Sequence, residues 1–261
     1  MEDKLLDINP LKHIWDSGRT AVGTYIMYSR DITTVQLAAS AGLDFVVFDL
    51  EHRPHNIETI HDLCQVARML GMAPLVGPSD IVSAEISHLL DVGASGVIVP
   101  HVKTVSEVEL AVKAVRYPPK GERGRCGQAG HNLYKTERST PEELAHYNDE
   151  ISLFLKVESK SAIKNLVELV APDGVDGVMV GPMDLSLDMG IPGEIHDKTL
   201  TQLMDHVSRV CRKRNIHYGV FVSSAAELNL AIKSGASWVI VGSEMEFLSR
   251  SWKAVSQIQT S

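Results

Sequence analysis

Residues 45–55 read FVVFDLEHRPH. Four consecutive apolar residues suit a strand buried on both faces. The polar cluster behind them suits the carboxyl end of a strand in a parallel barrel, where active sites sit. Asp49, Glu51 and His52 supply a candidate base, a candidate metal neighbour and a hydrogen-bonding partner within four positions. Such strings also occur as solvated strand ends. The reading gains weight from Glu158 and from the run GPMDLS at residues 181–186.

Similar apolar runs recur on both sides of this stretch. They begin at Ala21, Phe45, Ala73, Gly96, Ser152, Gly177, His217 and Trp238, with amphipathic stretches such as IETIHDLCQVARMLG and VSEVELAVKAVRY between them. Alternating β and α units predict a parallel sheet covered on both faces. Eight such units predict an α/β fold closed as a (β/α)8 TIM barrel, with residues 1–261 forming one domain. A weak internal repeat agrees: Gly42, Gly93, Gly174 and Gly235 each stand shortly before an apolar run. Glycine at a helix C′ position takes a left-handed conformation without a steric penalty, although any helix-to-strand junction favours it.

One connection is long. After Tyr117 the chain runs PPKGERGRCGQAGHNLYKTERSTPEELAHYNDE before the fifth run. Ser139 or Thr140, followed by PEEL, marks a helix start. The remainder is polar and glycine-rich, and long loops in compact domains are commonly functional. It is expected to close over the barrel mouth or to reach a neighbouring subunit.

Apolar residues make up 44% of the chain and charged residues 22%, which suffices for a sizeable core. The net charge of −8, without a dense run of Lys and Arg, argues against nucleic acid and anionic membrane as partners. No run approaches the ~20 apolar residues that span a bilayer. The three cysteines, Cys64, Cys126 and Cys211, have no metal-ligand spacing. Free thiols in a reducing cytosol follow, and a cytoplasmic location is expected.

Glu158 ends the fifth run and Asp184 follows the sixth. In a barrel these strands are adjacent, so both carboxylates can meet at one rim. Two carboxylates with room for water and substrate oxygens suit a hard cation such as Mg²⁺ or Mn²⁺. They would also serve as a glycosidase pair, and Asp184 alone could cap a helix. His52 is the best candidate base, because an imidazole titrates near working pH. Asp91 could orient that imidazole or be an ordinary helix-end acid. Lys156 lies two positions before Glu158 and so points to the same side, one layer deeper. It would pair with an acid or form a Schiff base with a carbonyl substrate. GPMDLS offers backbone N–H groups at a helix start, which bind anions.

FDLEH, LLDVGASGVIVPHV, RYPPKGERG, KVESKSAIKNL and GVDGVMVGPMDLSLDMG together resemble the HpcH/HpaI aldolase family, the metal-dependent class II pyruvate aldolases of the phosphoenolpyruvate/pyruvate barrel superfamily. The resemblance runs from about Gly23 to about Gly242. It implies a barrel whose last helix packs on a neighbouring subunit, usually in a hexamer. It implies Glu158 and Asp184 as ligands of Mg²⁺, Mn²⁺ or Co²⁺, His52 as base and Asp91 as its partner. It further implies substrate contacts from the backbone at Gly181, Pro182 and Met183. The third strand of that family usually ends in an arginine that contacts the pyruvyl unit, and Gly77 stands there in this chain. Where this chain has Lys156, the family often has glutamine. Lysine does not reproduce the directed donors of a guanidinium, so Lys156, Arg125 and Arg53 are candidates to compensate.

Three readings follow. The first is a metal-dependent carbon–carbon lyase acting on a 4-hydroxy-2-oxo acid, a small-molecule substrate, through a stabilised enolate. The second keeps the enolate and changes the outcome to condensation or decarboxylation, motivated by Gly77. The third is a binding protein without catalysis, opposed by intact His52, Glu158 and Asp184. A homo-oligomer is expected, with Phe247, Leu248, Trp252, Val255 and Ile258 as an apolar helical stripe at its interface.

Overall fold

The computed structural model describes residues 9–134 and 140–258. Eight parallel strands close into a barrel in chain order: β1 Ala21–Ile26, β2 Phe45–Asp49, β3 Ala73–Gly77, β4 Gly96–Val99, β5 Ser152–Val157, β6 Gly177–Val180, β7 His217–Val222 and β8 Trp238–Ser243. Each begins where an apolar run of the sequence begins. Helices join them on the outside, including Ile57–Met69, Ser83–Asp91, Val105–Val115 and Lys198–Arg214. Gly42, Gly93, Gly174 and Gly235 all take positive φ, between 81° and 119°; the first, second and fourth directly follow a helix C-cap, while Gly174 lies in a turn four residues beyond one.

Side-chain alternation divides the strands between two cores. Val46, Phe48, Val76, Val97 and Leu155 face the helices. Phe45, Val47, Leu75, Ile98, Phe154, Met179, Trp238 and Ile240 fill the barrel. The rings of Phe154 and Trp238 lie 4.5 Å apart between centroids. They fit because Gly177 and Gly219 face them: a Cβ on either would collide with Phe154 or with Trp238. The helix Leu11–Asp16 stoppers the amino end of the barrel. Leu11 enters the inner core, Trp15 Nε1 donates to Ser237 O at 3.0 Å, and the indole stacks on His217.

The described residues of the long connection before β5 lie at this same amino end, so they do not close over the mouth of their own barrel; the other expectation, that the segment reaches a neighbouring subunit, stays open for a single chain. Arg116 donates to the carbonyls of Asn148, Ile151 and Gly174 and pairs with Asp176, groups that precede β5 and β6. Arg68 donates to the carbonyls of Gly130 and His131 at 2.5 and 3.0 Å. Arg123 Nη2 donates to Asp91 Oδ1 at 2.6 Å. A helix-to-strand segment reaches the amino end of the next strand, and this one is fastened there by buried arginines. The helix start predicted near PEEL is Thr140, whose hydroxyl accepts from Glu143 N, with Pro141 in the first turn. Ser139 lies outside the described residues.

No helix among the described residues is long and apolar enough to cross a membrane. Cys64 and Cys211 are buried thiols and Cys126 an exposed one. His131 is 1% exposed, and burial together with Arg123, Arg68 and Arg125 pushes it from the ordinary value near 6.5 down to about 3. The unfolded chain therefore takes up a proton below pH 6.5 that the folded chain refuses, and stability falls as pH drops from there toward 3. Over that window the stability of the native chain should fall more steeply than that of His131→Gln, by up to about 1.4 kcal/mol per pH unit, in urea titrations.

Candidate active site at the carboxyl end of the barrel

The parity that packs the core also selects what faces the mouth. Phe45 and Val47 point inward, so Asp49 does as well; Ala73 and Leu75 carry the inward face of β3 to Gly77; Phe154 carries that of β5 to Lys156 and then Glu158. Tyr25 and Phe221 pack on the inner core from β1 and β7. Asp49 pairs in register with Gly77. A Cβ on Gly77 would meet only ordinary contacts, 3.7 Å from Ile98 O and 4.0 Å from Asp49 Oδ1. No side chain projects into the mouth from that position.

Four side chains form one charged network. Lys156 Nζ lies 2.6 Å from Glu158 Oε1 and 3.5 Å from Glu51 Oε2. His101 bridges the same two acids, Nε2 at 2.6 Å from Glu51 Oε1 and Nδ1 at 3.1 Å from Glu158 Oε2. The His101 backbone N–H also donates to Glu158 Oε2 at 3.2 Å. Burial pushes the Glu158 carboxyl up, while Lys156 and His101 oppose that shift. For Lys156 burial favours the neutral amine, but Glu158, Tyr25 and Glu51 outweigh it and hold the ammonium above the ordinary lysine range. A Schiff-base lysine needs the opposite shift, so the acid-pairing alternative is the one supported. Burial, with Asp49, Glu158 and Glu51 outweighing the pull of Lys156, pushes Tyr25 up to about 12, so its hydroxyl stays a donor.

His52 stands at the rim. Its ring is half exposed and Nε2 is 3.5 Å from Glu51 Oε1. Asp49 Oδ1 accepts from the backbone N–H of Glu51 at 2.8 Å and of His52 at 3.3 Å, which shapes the turn that carries both side chains. Arg53 donates to the Tyr28 hydroxyl at 2.8 Å and lies 4.0 Å from Asp49, so it is committed within the loop.

Gly181 follows β6, and its N–H donates to Val157 O. Pro182 is buried in the first turn of the helix Pro182–Asp188, Met183 is exposed and Asp184 is half-buried in that same turn. This turn sits against Glu158, because a Cβ on Gly181 would fall 2.5 Å from Glu158 Oε1 and 2.7 Å from Cγ.

Two expected members are elsewhere. Asp91 ends the helix before β4, at the amino end of the barrel, where it pairs with Arg123 and lies 3.8 Å from His131. Within one chain it does not orient His52. Arg125 is exposed on the same end, where its charge acts on Tyr117 and His131, so it does not reach over the mouth of its own barrel. Sequence reasoning passed over His101 and Tyr25. The signal for His101 was a lone polar residue closing the run GVIVPHV; that for Tyr25 was a polar tip at an inward position of β1.

No group of three or more His, Cys, Asp or Glu among the described residues is arranged to hold a metal. The chain offers Glu158 and Asp184 as two oxygen donors. Oε1 of Glu158 and Oε1 of Glu51 are buried and accept no well-directed hydrogen bond. Such a pair fits a hard divalent cation that keeps several waters. If Gly181 is needed to let Glu158 stand upright, Gly181→Ala should fold with a modest loss, about 1–3 kcal/mol for overpacking. Its lyase activity should fall at least tenfold; a thermal melt beside steady-state kinetics checks both.

The model of the family described as HpcH/HpaI aldolase/citrate lyase matches residues 24–251. A 4-hydroxy-2-oxo-heptane-1,7-dioate aldolase of Klebsiella pneumoniae is 32% identical over 250 residues, covering 95% of this chain and 92% of that protein. Among solved structures, an HpcH/HpaI aldolase from Desulfitobacterium hafniense superposes with a TM-score of 0.90 at 29% identity, over 95% and 96% of the two chains. The citrate synthase SbnG superposes at 0.85 and 26% identity, over 96% and 97%. With this agreement along nearly its whole length, the chain belongs to the HpcH/HpaI aldolase/citrate lyase family and is a carbon–carbon lyase.

Proposed function

We propose that the chain cleaves a 4-hydroxy-2-oxo acid at the C3–C4 bond, releasing an aldehyde and a 2-oxo acid such as pyruvate. The observation that carries this reading is the cluster at the mouth, where His52 and the Lys156–Glu158–His101–Glu51 network meet at the carboxyl end of the barrel. Glu158 and Asp184 would hold one divalent cation, Mg²⁺ or Mn²⁺. When bound, such an ion supplies Lewis-acid stabilisation of negative charge on the 2-oxo group. His52 removes the proton from the 4-hydroxyl as the bond breaks, and the electron pair passes to C3 as an enolate, which then takes a proton from water to give the 2-oxo acid. Glu51, 3.5 Å away, steadies the imidazolium that results. Because His52 is half exposed, it exchanges its proton with water between turnovers. The Tyr25 hydroxyl and the first-turn N–H groups after Gly181 and Pro182 are donors for substrate oxygens.

With Mn²⁺ or Mg²⁺ present, the enzyme should release pyruvate from 4-hydroxy-2-oxo acids, and a chelator should stop it. Glu158→Gln and Asp184→Asn should each lose tight Mn²⁺ binding in calorimetry. His52→Ala should keep the ion and lose ~100-fold or more of turnover. Loss of the ion in His52→Ala would show that the imidazole is a ligand and not the base.

A second reading is condensation of the same enolate with a further 2-oxo acid. The absence of a side chain at Gly77 favours it, as does the similarity to a citrate synthase. Product analysis after incubation with oxaloacetate and paired 2-oxo acids separates the two.

We further propose a cytoplasmic homo-oligomer, of which a hexamer is the family's usual form. Along the helix Glu244–Ile258, Phe247, Leu248, Trp252 and Val255 are all exposed, Trp252 by 66%. Their own barrel leaves the stripe uncovered; the side chain of Ile258 lies outside the described residues. A second copy would bury it. Sedimentation should find an oligomer at micromolar concentration that Trp252→Arg weakens; a native monomer would rule the interface out.

A further inference from the structure

Lys156 crosses the mouth. It leaves β5 beside Glu158, yet its ammonium also faces Glu51, which follows β2 on the other side of Gly77. Both groups are largely buried, so their attraction is offset by the cost of taking each charge out of water, and a second cation that satisfies Glu158 can replace the ammonium there. Glu158 Oε1, the atom that Lys156 touches, belongs to a carboxylate read above as a metal ligand. An ammonium and a divalent cation repel each other at one oxygen, and Glu51 Oε2 at 3.5 Å offers the ammonium a second seat.

The geometry points to Lys156 as a displaceable internal cation: it occupies Glu158 in the absence of metal, and once a divalent ion takes that carboxylate it moves toward Glu51 to meet the substrate carboxylate beside Gly77. This rests on the reading of Glu158 as a ligand. The inward face at Gly77 carries no side chain, and a Cβ there would sit at ordinary contact distance, 3.7 Å from Ile98 O, so no side chain of β3 stands in the path of the ammonium. Arg53 is held by Tyr28 and Asp49, and Arg125 is at the other end of the barrel. Lys156, by contrast, has two acids within reach at the mouth and can pass from one to the other.

The test is calorimetry with Mn²⁺ and then with oxalate, a planar dicarboxylate that mimics an enolised 2-oxo acid. Lys156→Gln and Lys156→Met should bind Mn²⁺ at least tenfold more tightly than the native protein, because the competing ammonium is gone. Once loaded with Mn²⁺, both should bind oxalate at least tenfold more weakly. Unchanged or weaker Mn²⁺ affinity overturns the competition, and unchanged oxalate affinity overturns the anchoring. If either variant fails to fold, a crystal structure of the native protein with Mn²⁺ decides. Lys156 Nζ should then have left Glu158, and an ammonium still in contact with that carboxylate refutes the displacement. A native protein that binds no Mn²⁺ would remove the metal reading itself, a separate outcome.

Discussion

Every feature of the site depends on one constraint: in a closed barrel of parallel strands, alternate side chains must point into a space only a few residues wide. Phe45, Phe154 and Trp238 fill that space, and Gly177 and Gly219 make room for them. With the lower layers set by aromatic volume, the next inward positions have no choice of direction. Asp49, Gly77, Lys156 and Glu158 arrive at one end because they continue rows already committed to the core. A shift of one residue in any of these strands would send its polar row into the helical layer.

The mouth is an electrostatic balance more than a rigid lattice. Glu158 is nearly buried, and a buried carboxylate without a partner is costly. Lys156 and His101 answer that charge from one side, and the half-buried Asp184 stands on the next turn of chain. Gly181 permits the whole arrangement, because even a methyl group there would strike the Glu158 side chain. The amino end is organised in the opposite manner. There Arg68, Arg116 and Arg123 hold carbonyls and acids in a dense set of hydrogen bonds, and a helix stoppers the barrel. Chemistry and anchorage occupy opposite ends, as expected of this architecture.

The strands were legible because a parallel strand covered on both faces needs an unbroken apolar run, and all eight observed strands start at such runs. Glu158, Asp184, His52 and Lys156 were legible as polar residues where these runs stop. His101 was harder to see, since one histidine after Pro100 has no periodic partner, and its role comes from contacts with residues 50 and 57 positions away. Asp91 and Arg125 stand apart from the mouth of their own barrel for a different reason. Both sit on helix-to-strand connections, which reach the amino end of the next strand, so element order outweighed the chemistry of the side chains.

The amino-acid sequence by itself determined the barrel, the order of its strands and which acids end them, because hydrophobic period and run length are local properties of the chain. Tertiary structure alone decided that Lys156 pairs with Glu158 and Glu51, that His101 bridges the same acids and that Asp91 belongs with Arg123. These are contacts between residues far apart in sequence. Their distances follow from closing the barrel, and no stretch of sequence contains them.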